Sequence, residues 1–128
     1  MSVRNRLIAC LCLLFASVPA QGAAAQEDFM RYQQQLLRMA EILGGVHHLR
    51  GTCDDSENQY WRGRMLRLID IEQPSQSLRN QMIERFNANY DEQKRRFPKC
   101  GNKTSKEAAR LAREGESLAL QMARELSD

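Results

Sequence analysis

The sequence predicts an all-α fold: a small antiparallel bundle of about four helices, held by one disulfide and preceded by a cleaved signal peptide. Three observations predict it. Four segments repeat apolar residues at intervals of three and four, and none keeps a two-residue alternation. The connections between these segments are short, as in up-down bundles. Two cysteines, Cys53 and Cys100, flank the second and third segments.

The chain opens with Arg4 and Arg6, then the apolar run Leu7–Val18, LIACLCLLFASV. Ala23-Ala24-Ala25 before Gln26 fits the small-x-small preference of a signal peptidase. The run is too short to span a bilayer as a helix. It reads as a secretory signal, so residues 1–25 are the expected signal peptide and 26–128 the helical domain. Cleavage is expected after Ala25, with Ala20 as the alternative. Leu7-Ile8-Ala9-Cys10 also looks like a lipoprotein cleavage box. Only three apolar residues precede Cys10, however, and a lipid-modified cysteine closes such a run.

Removing residues 1–25 leaves 103 residues with 17 basic and 16 acidic side chains, a net charge of +1. That balance gives no support to a nucleic-acid binder, which carries a strong basic excess. No second apolar stretch is long enough to cross a membrane. Cys10 and Cys12 leave with the signal. Cys53 and Cys100 then form an even pair in an exported chain, where a disulfide is the default.

The first helix is expected over about Glu27–Arg50. Phe29, Tyr32, Leu36, Met39, Leu43 and Val46 make one stripe, and Gly51 is the stop. The three-four spacing of that stripe would also suit dimerisation. The second helix is expected over Ser56–Glu72, capped by Asp54, Asp55 or Ser56 and ended by Gln73-Pro74-Ser75. Trp61, Met65, Leu68 and Ile69 share its face, with Arg62, Arg64 and Arg67 elsewhere. The third spans Ser77–Phe97 before Pro98, with Leu78, Met82, Phe86, Tyr90 and Phe97 on one side. The fourth starts at Thr104, where Thr104 and Glu107 match a capping box. Its face holds Ala108, Leu111, Ala112, Gly115, Leu118, Ala119 and Met122, small enough for close helix approach. If the second and third helices form a hairpin about Pro74, Cys53 and Cys100 meet at the end opposite the turn. Closing a loop of that length stabilises the fold by roughly 4 kcal/mol in the chain-entropy model.

The stretch Glu41–Cys53, EILGGVHHLRGTC, concentrates the candidate chemistry. His47 and His48 project about 100° apart on a helix. Metal pairs on helices want spacings of three or four, and no ligand type stands at those offsets. One histidine is expected to face the core and the other water. Cys53 beside them is expected in the disulfide rather than as a nucleophile, and no Cys-x-x-Cys occurs. Gly44-Gly45 costs roughly 1 kcal/mol per residue in a helix. Close packing accounts for it, with the ring of Trp61 or Phe86 filling the space. The functional alternative is backbone opened to a ligand. Asp54, Asp55 and Glu57 read as capping and dipole charges. Lys94-Arg95-Arg96 with Lys99, like the arginines of the second helix, could meet an anionic partner. The commoner reading is a solvated face near Glu84, Asp91 and Glu92. Asn87 is expected to hydrogen-bond across to another helix. Asn102-Lys103-Thr104 matches a glycosylation sequon, a pattern frequent by chance.

Glu41-Ile42-Leu43-Gly44, His47, Leu49-Arg50 and Cys53 resemble the opening motif of an uncharacterised family of small exported alphaproteobacterial proteins. Tyr60-Trp61-Arg62 with Met65, Arg85-Phe86-Asn87 with Tyr90, Cys100 and Glu114-Gly115 resemble its later motifs. The resemblance covers most of residues 36–126. His48 and Asn89 depart from the pattern, which has an aromatic and a glycine there. It implies a periplasmic location in a Gram-negative cell and supplies no activity.

The expected function is that of a non-enzymatic periplasmic helical protein without a cofactor, binding another envelope protein. Its partner surface is expected around His47, His48, Arg50, Trp61, Arg62, Asn87 and Tyr90. The alternative is a small-ligand or metal-binding protein using His47 or His48 with Asn87 and Tyr90. An enzyme is the remote third reading, because so short a helical chain rarely encloses a cleft of ~300 Å³ or more.

Overall fold

A computed structural model of the protein describes residues 20–127. The apolar run, Cys10, Cys12 and the leading arginines lie outside the described residues. Four helices follow in order: α1 (Ala20–Gly51), α2 (Glu57–Glu72), α3 (Gln76–Arg96) and α4 (Asn102–Glu125). Among the described residues there is no strand. The all-α bundle expected from the three-four spacing is what the chain forms.

Helix boundaries follow local chemistry. α1 begins seven residues before Glu27, because Ala20–Ala25 is rich in the strongest helix former. Residues 21–31 are exposed and add nothing to the core. Between α1 and α2 the Asp54 carboxylate accepts hydrogen bonds from the Ser56 N–H and hydroxyl, at 2.9 and 2.7 Å. α2 ends at Gln73, a non-glycine residue in the left-handed region (φ 46°), before Pro74. Ser75 caps α3 by accepting from the Leu78 N–H. The capping box expected at Thr104 does not form. α4 starts two residues earlier, with Gly101 at its cap, and Thr104 lies inside the helix. The buried Thr104 hydroxyl donates back to the Lys99 carbonyl at 2.6 Å, and Glu107 binds Arg110 instead.

The direction of the helices is up-down-up-down. Tyr32 meets Glu72 while Gly51 meets Asn58, so α2 runs opposite to α1. Gly44 meets Phe86 and His48 meets Phe97, so α3 runs parallel to α1. Gln35 meets Glu125 while Ile42 meets Gly115, so α4 runs opposite to α1. A square bundle would leave the parallel pair α1 and α3 on a diagonal. Here they make the most extensive contact in the molecule, and α1 also packs on α2 and α4. α1 is therefore the axis that the other three surround.

This position explains a burial that a single stripe does not. Leu36, Leu43 and Val46 of the expected stripe are buried, but so are Leu37, Ile42 and Leu49 on other faces. Phe29 is 57% exposed, because it precedes the packed part of α1. Leu36, Leu37, Ala40 and Leu43 pack with Met65 and Ile69 of α2, Leu78, Met82 and Phe86 of α3, and Met122 of α4. Nearer the end of α1, Ile42, Val46 and Leu49 pack with Ala108 and Leu111 of α4. The packed part of the stripe is thus covered within the chain, rather than left for a second copy.

Cys53 and Cys100 are bonded, with Cα atoms 4.9 Å apart. The bond joins the start of α2 to the segment after α3, at the end opposite Pro74, as the hairpin reading expects. It closes a loop across 47 residues of sequence separation. Replacing both cysteines by serine is predicted to cost roughly 4 kcal/mol in equilibrium urea denaturation. An unchanged unfolding free energy would show that the pair does not constrain the unfolded chain.

Candidate functional site

The residues of Glu41–Cys53 meet α3 over its second half. At Gly44 a Cβ would collide with the backbone carbonyl of Phe86 and stand 2.9 Å from its Cα. The glycine pair is therefore a packing device, as its cost suggested. What fills the space is α3 backbone, and not the ring of Trp61 or Phe86. Gly45 faces two helices at once: its Cβ would lie 2.6 Å from the Asn89 amide nitrogen and 2.7 Å from Leu111 of α4. The Asn89 amide donates to the Glu41 carbonyl at 2.8 Å and accepts from Gln93 at 3.3 Å. Asn89, and not Asn87, makes the cross-helix hydrogen bond. Asn87 is exposed and lines a separate shallow hollow on the outside of α3 with Asn80, Ile83 and Glu84.

Neither histidine points freely into water, contrary to expectation. The two flank Tyr90, with ring centroids 5.1 Å (His47) and 5.3 Å (His48) from it. His47 also stacks on Phe86 at 5.6 Å. His48 is buried, and its Nε2 lies 2.8 Å from the Phe97 carbonyl oxygen. A carbonyl only accepts, so Nε2 carries the proton and donates. The Thr52 hydroxyl donates to the His48 carbonyl at 2.8 Å, closing the last turn of α1. Burial, then the charge of Arg62, then His48, lower the pKa of His47 below 6.5, and its Nδ1 is buried without a partner.

His48, Gly51, Thr52, Asn58, Tyr90, Lys94 and Pro98 line an open recess of about 380 Å³ next to the disulfide. Gly51 keeps it narrow, since a Cβ there would strike the Asn58 amide. The hydroxyls, amide and ammonium of this lining can hydrogen-bond a small polar group. Both nearby sulfurs are spent in the disulfide. Among the described residues no three His, Cys, Asp or Glu side chains converge as a metal site would require.

Of the expected surface, the structure brings His47, His48 and Tyr90 together, with Arg62 close enough to act on His47. Trp61 is half-buried, donates to Glu57 at 2.6 Å and packs against both apolar clusters, so it is largely structural. Arg50 and Asn87 are exposed and belong to neither histidine contact. Sequence reasoning gave no site role to Thr52, Asn58, Gln93 and Pro98; it placed Lys94 only in a basic stretch, and it named Asn89 but gave the cross-helix bond to Asn87. For Asn89 and Gln93 the signal was present: with Phe86, Tyr90 and Phe97 they continue one face at three and four residues.

Two predictions follow from this geometry. Asn89→Ala is expected to lose about 1–2 kcal/mol of stability and Asn87→Ala almost none, by denaturant midpoint. Equal losses would remove Asn89 from its helix-bridging role. The folded pKa of His47 lies below its unfolded value of 6.5. Its neutral form thus favours the folded state. That stability is full above pH 6.5 and falls as pH drops from there toward the folded pKa. His47→Gln should flatten this part of the stability profile. An unchanged slope would show that His47 is not the group responsible.

Residues 31–126, most of the chain and all of the packed bundle, match the family described as protein of unknown function DUF2385. No curated protein and no solved structure matches the chain. With its family match spanning three quarters of its length, the chain belongs to the DUF2385 family.

Proposed function

We propose that the protein is exported, loses residues 1–25, and works in the periplasm as a non-enzymatic helical module that binds another envelope protein. The single observation that carries the binding reading is the outer face of α2. Tyr60, Arg64, Arg67 and Ile71 fall within a narrow sector of that helix, at 100° per residue. Tyr60 is 55% exposed and Ile71 63% exposed, and the Arg64 guanidinium lies over the Tyr60 ring at 5.8 Å. Leu66, 58% exposed, projects from a different side of α2, beside Arg62. Aromatic and arginine side chains with apolar neighbours are the composition enriched at protein interfaces. None of these side chains contributes to the buried core.

Export is supported by the sequence signal and by the exposure of residues 21–25, whose removal costs the core nothing. No helix among the described residues is long and apolar enough to cross a membrane. The recess beside His48 and Tyr90 favours a second reading, a small-ligand site, because several polar groups converge there without filling it.

Photo-crosslinking in intact cells tests the first reading. A crosslinker at position 64 or 67 is expected to trap one discrete protein adduct, and one at position 79 on α3 none. Tyr60→Ala with Ile71→Ala should abolish the adduct without lowering the denaturation midpoint. Identical adducts from both helices, or an adduct untouched by the double substitution, would overturn it. For the second reading, Tyr90→Ala should lower any ligand-induced rise in Tm. A rise unaffected by that substitution would place the ligand elsewhere.

A further inference from the structure

We infer that the elbow between α3 and α4 is a docking surface for the anionic headgroups of a lipid bilayer. The inference is independent of the α2 face and extends beyond it.

Its basis is a charge separation that the near-neutral total conceals. Residues 94–113 carry eight basic side chains and one acidic one. The rest of residues 26–128 carries nine basic and fifteen acidic side chains. One stretch is therefore +7, and the remainder is −6.

The fold gathers most of this charge on one surface. Arg96, Lys99, Lys103, Lys106, Arg110 and Arg113 line two adjoining recesses, of about 340 and 570 Å³, which share Phe97 and Lys103. Glu107 is the one carboxylate in either lining, and Arg110 holds it through two nitrogens at 2.8 and 2.9 Å. Among the described residues the other five cations have no carboxylate within 4.0 Å. On α4 the spacing 103, 106, 110, 113 sets three of these five, together with the paired Arg110, in one row ~15 Å long. The row starts at the positive end of the helix, where Gly101 supplies no side-chain cap. The Cys53–Cys100 bond anchors the elbow to the end of α1, so the row has a fixed attitude to the body of the protein.

The surface suits a phosphate layer better than a protein. None of the exposed large apolar residues falls within 94–113, so nothing there can anchor in a partner's pocket. Phe97 is half-buried beneath the Arg96 guanidinium, 5.3 Å from its ring centroid. Lysine is depleted at protein interfaces, yet Lys99, Lys103 and Lys106 make up three of the five unpartnered cations. Long, flexible ammonium stems track a diffuse array of phosphates well, and attraction to an anionic leaflet needs no shaped pocket.

Co-sedimentation of the full chain with lipid vesicles tests this. Arg4, Arg6 and the apolar Leu7–Val18 run are common to every variant compared, so the readout is the change in headgroup preference between variants. At low salt the protein is expected to bind phosphatidylglycerol vesicles at least tenfold more tightly than phosphatidylcholine vesicles, and to lose this preference at high salt. Each groove cation removed should weaken the preference roughly fivefold. K103E/K106E/R113E should therefore abolish it, while the α2 variant R62E/R64E/R67E retains most of it. Circular dichroism and an intact disulfide report that both variants are folded. Equal binding to the two vesicle types, or loss of preference in the α2 variant but not in the groove variant, would overturn the inference. Tight binding to polyglutamate without a vesicle preference would do the same, and would point to an acidic protein instead.

Discussion

The carbonyl of Phe86 occupies the space where a side chain at position 44 would begin, and this approach sets the distance between α1 and α3. In an up-down-up-down bundle that parallel pair would ordinarily face each other across the core. Two consecutive glycines let them touch instead. Gly44 admits the backbone of α3, and Gly45 admits the Asn89 amide on one side and Leu111 of α4 on the other. The loss of helix propensity at the two glycines is offset by packing of α1 on all sides and by the Asn89 hydrogen bond to the Glu41 carbonyl.

Much else is a consequence of that distance. With α3 so close, His47 and His48 both reach Tyr90 although they diverge by about 100° on their own helix. His48 can then donate to the Phe97 carbonyl, which ties the end of α3 to the last turn of α1. Cys100 follows a few residues later and is bonded to Cys53. Two different devices, a buried hydrogen bond and a covalent link, therefore fix the same end of the molecule. Around the other end the ties are softer: Tyr32 donates to Glu72 at 2.7 Å, and Gln35 to Glu125 at 2.9 Å. Burial and the Glu72 carboxylate together push the Tyr32 phenol up to about 12, so it remains a donor at any ordinary pH. Arg38 holds α1 to α4 through Glu114 while also pairing with Glu41. That ring of ties leaves the outer faces of α2 and of the first half of α4 uncommitted.

The helical period, the turn at Pro74 and the cysteine pairing were legible in the sequence because each is local or follows from counting. The hub role of α1 was not. Buried residues on every side of residues 35–51 look like one stripe when a peripheral helix is assumed, yet Leu37, Ile42 and Leu49 already lay off that stripe. Gly44-Gly45 announced a close contact but not its partner, since a glycine records absent volume and says nothing of what arrives there. The capping box at Thr104 failed because Gly101 gave the helix an earlier start, which turned Thr104 inward toward the Lys99 carbonyl. Asn87 and Asn89 sit two residues apart and so on different faces, and only the orientation of α3 decides which one reaches Glu41. The basic row on α4 was hidden for another reason: total charge averages over a chain that separates its charges in space.

The most direct measurement compares Gly44→Ala with Gly63→Ala in equilibrium urea denaturation of the oxidised protein. Both glycines are inside helices, but a Cβ at position 63 meets nothing within 4 Å. Gly63→Ala should stabilise by up to ~1 kcal/mol through helix propensity alone. Gly44→Ala gains the same propensity yet forces α3 outward, and should destabilise by about 1–3 kcal/mol net. If Gly44→Ala were as stable as the parent or more so, the approach of Phe86 to α1 would not be the constraint that shapes this bundle.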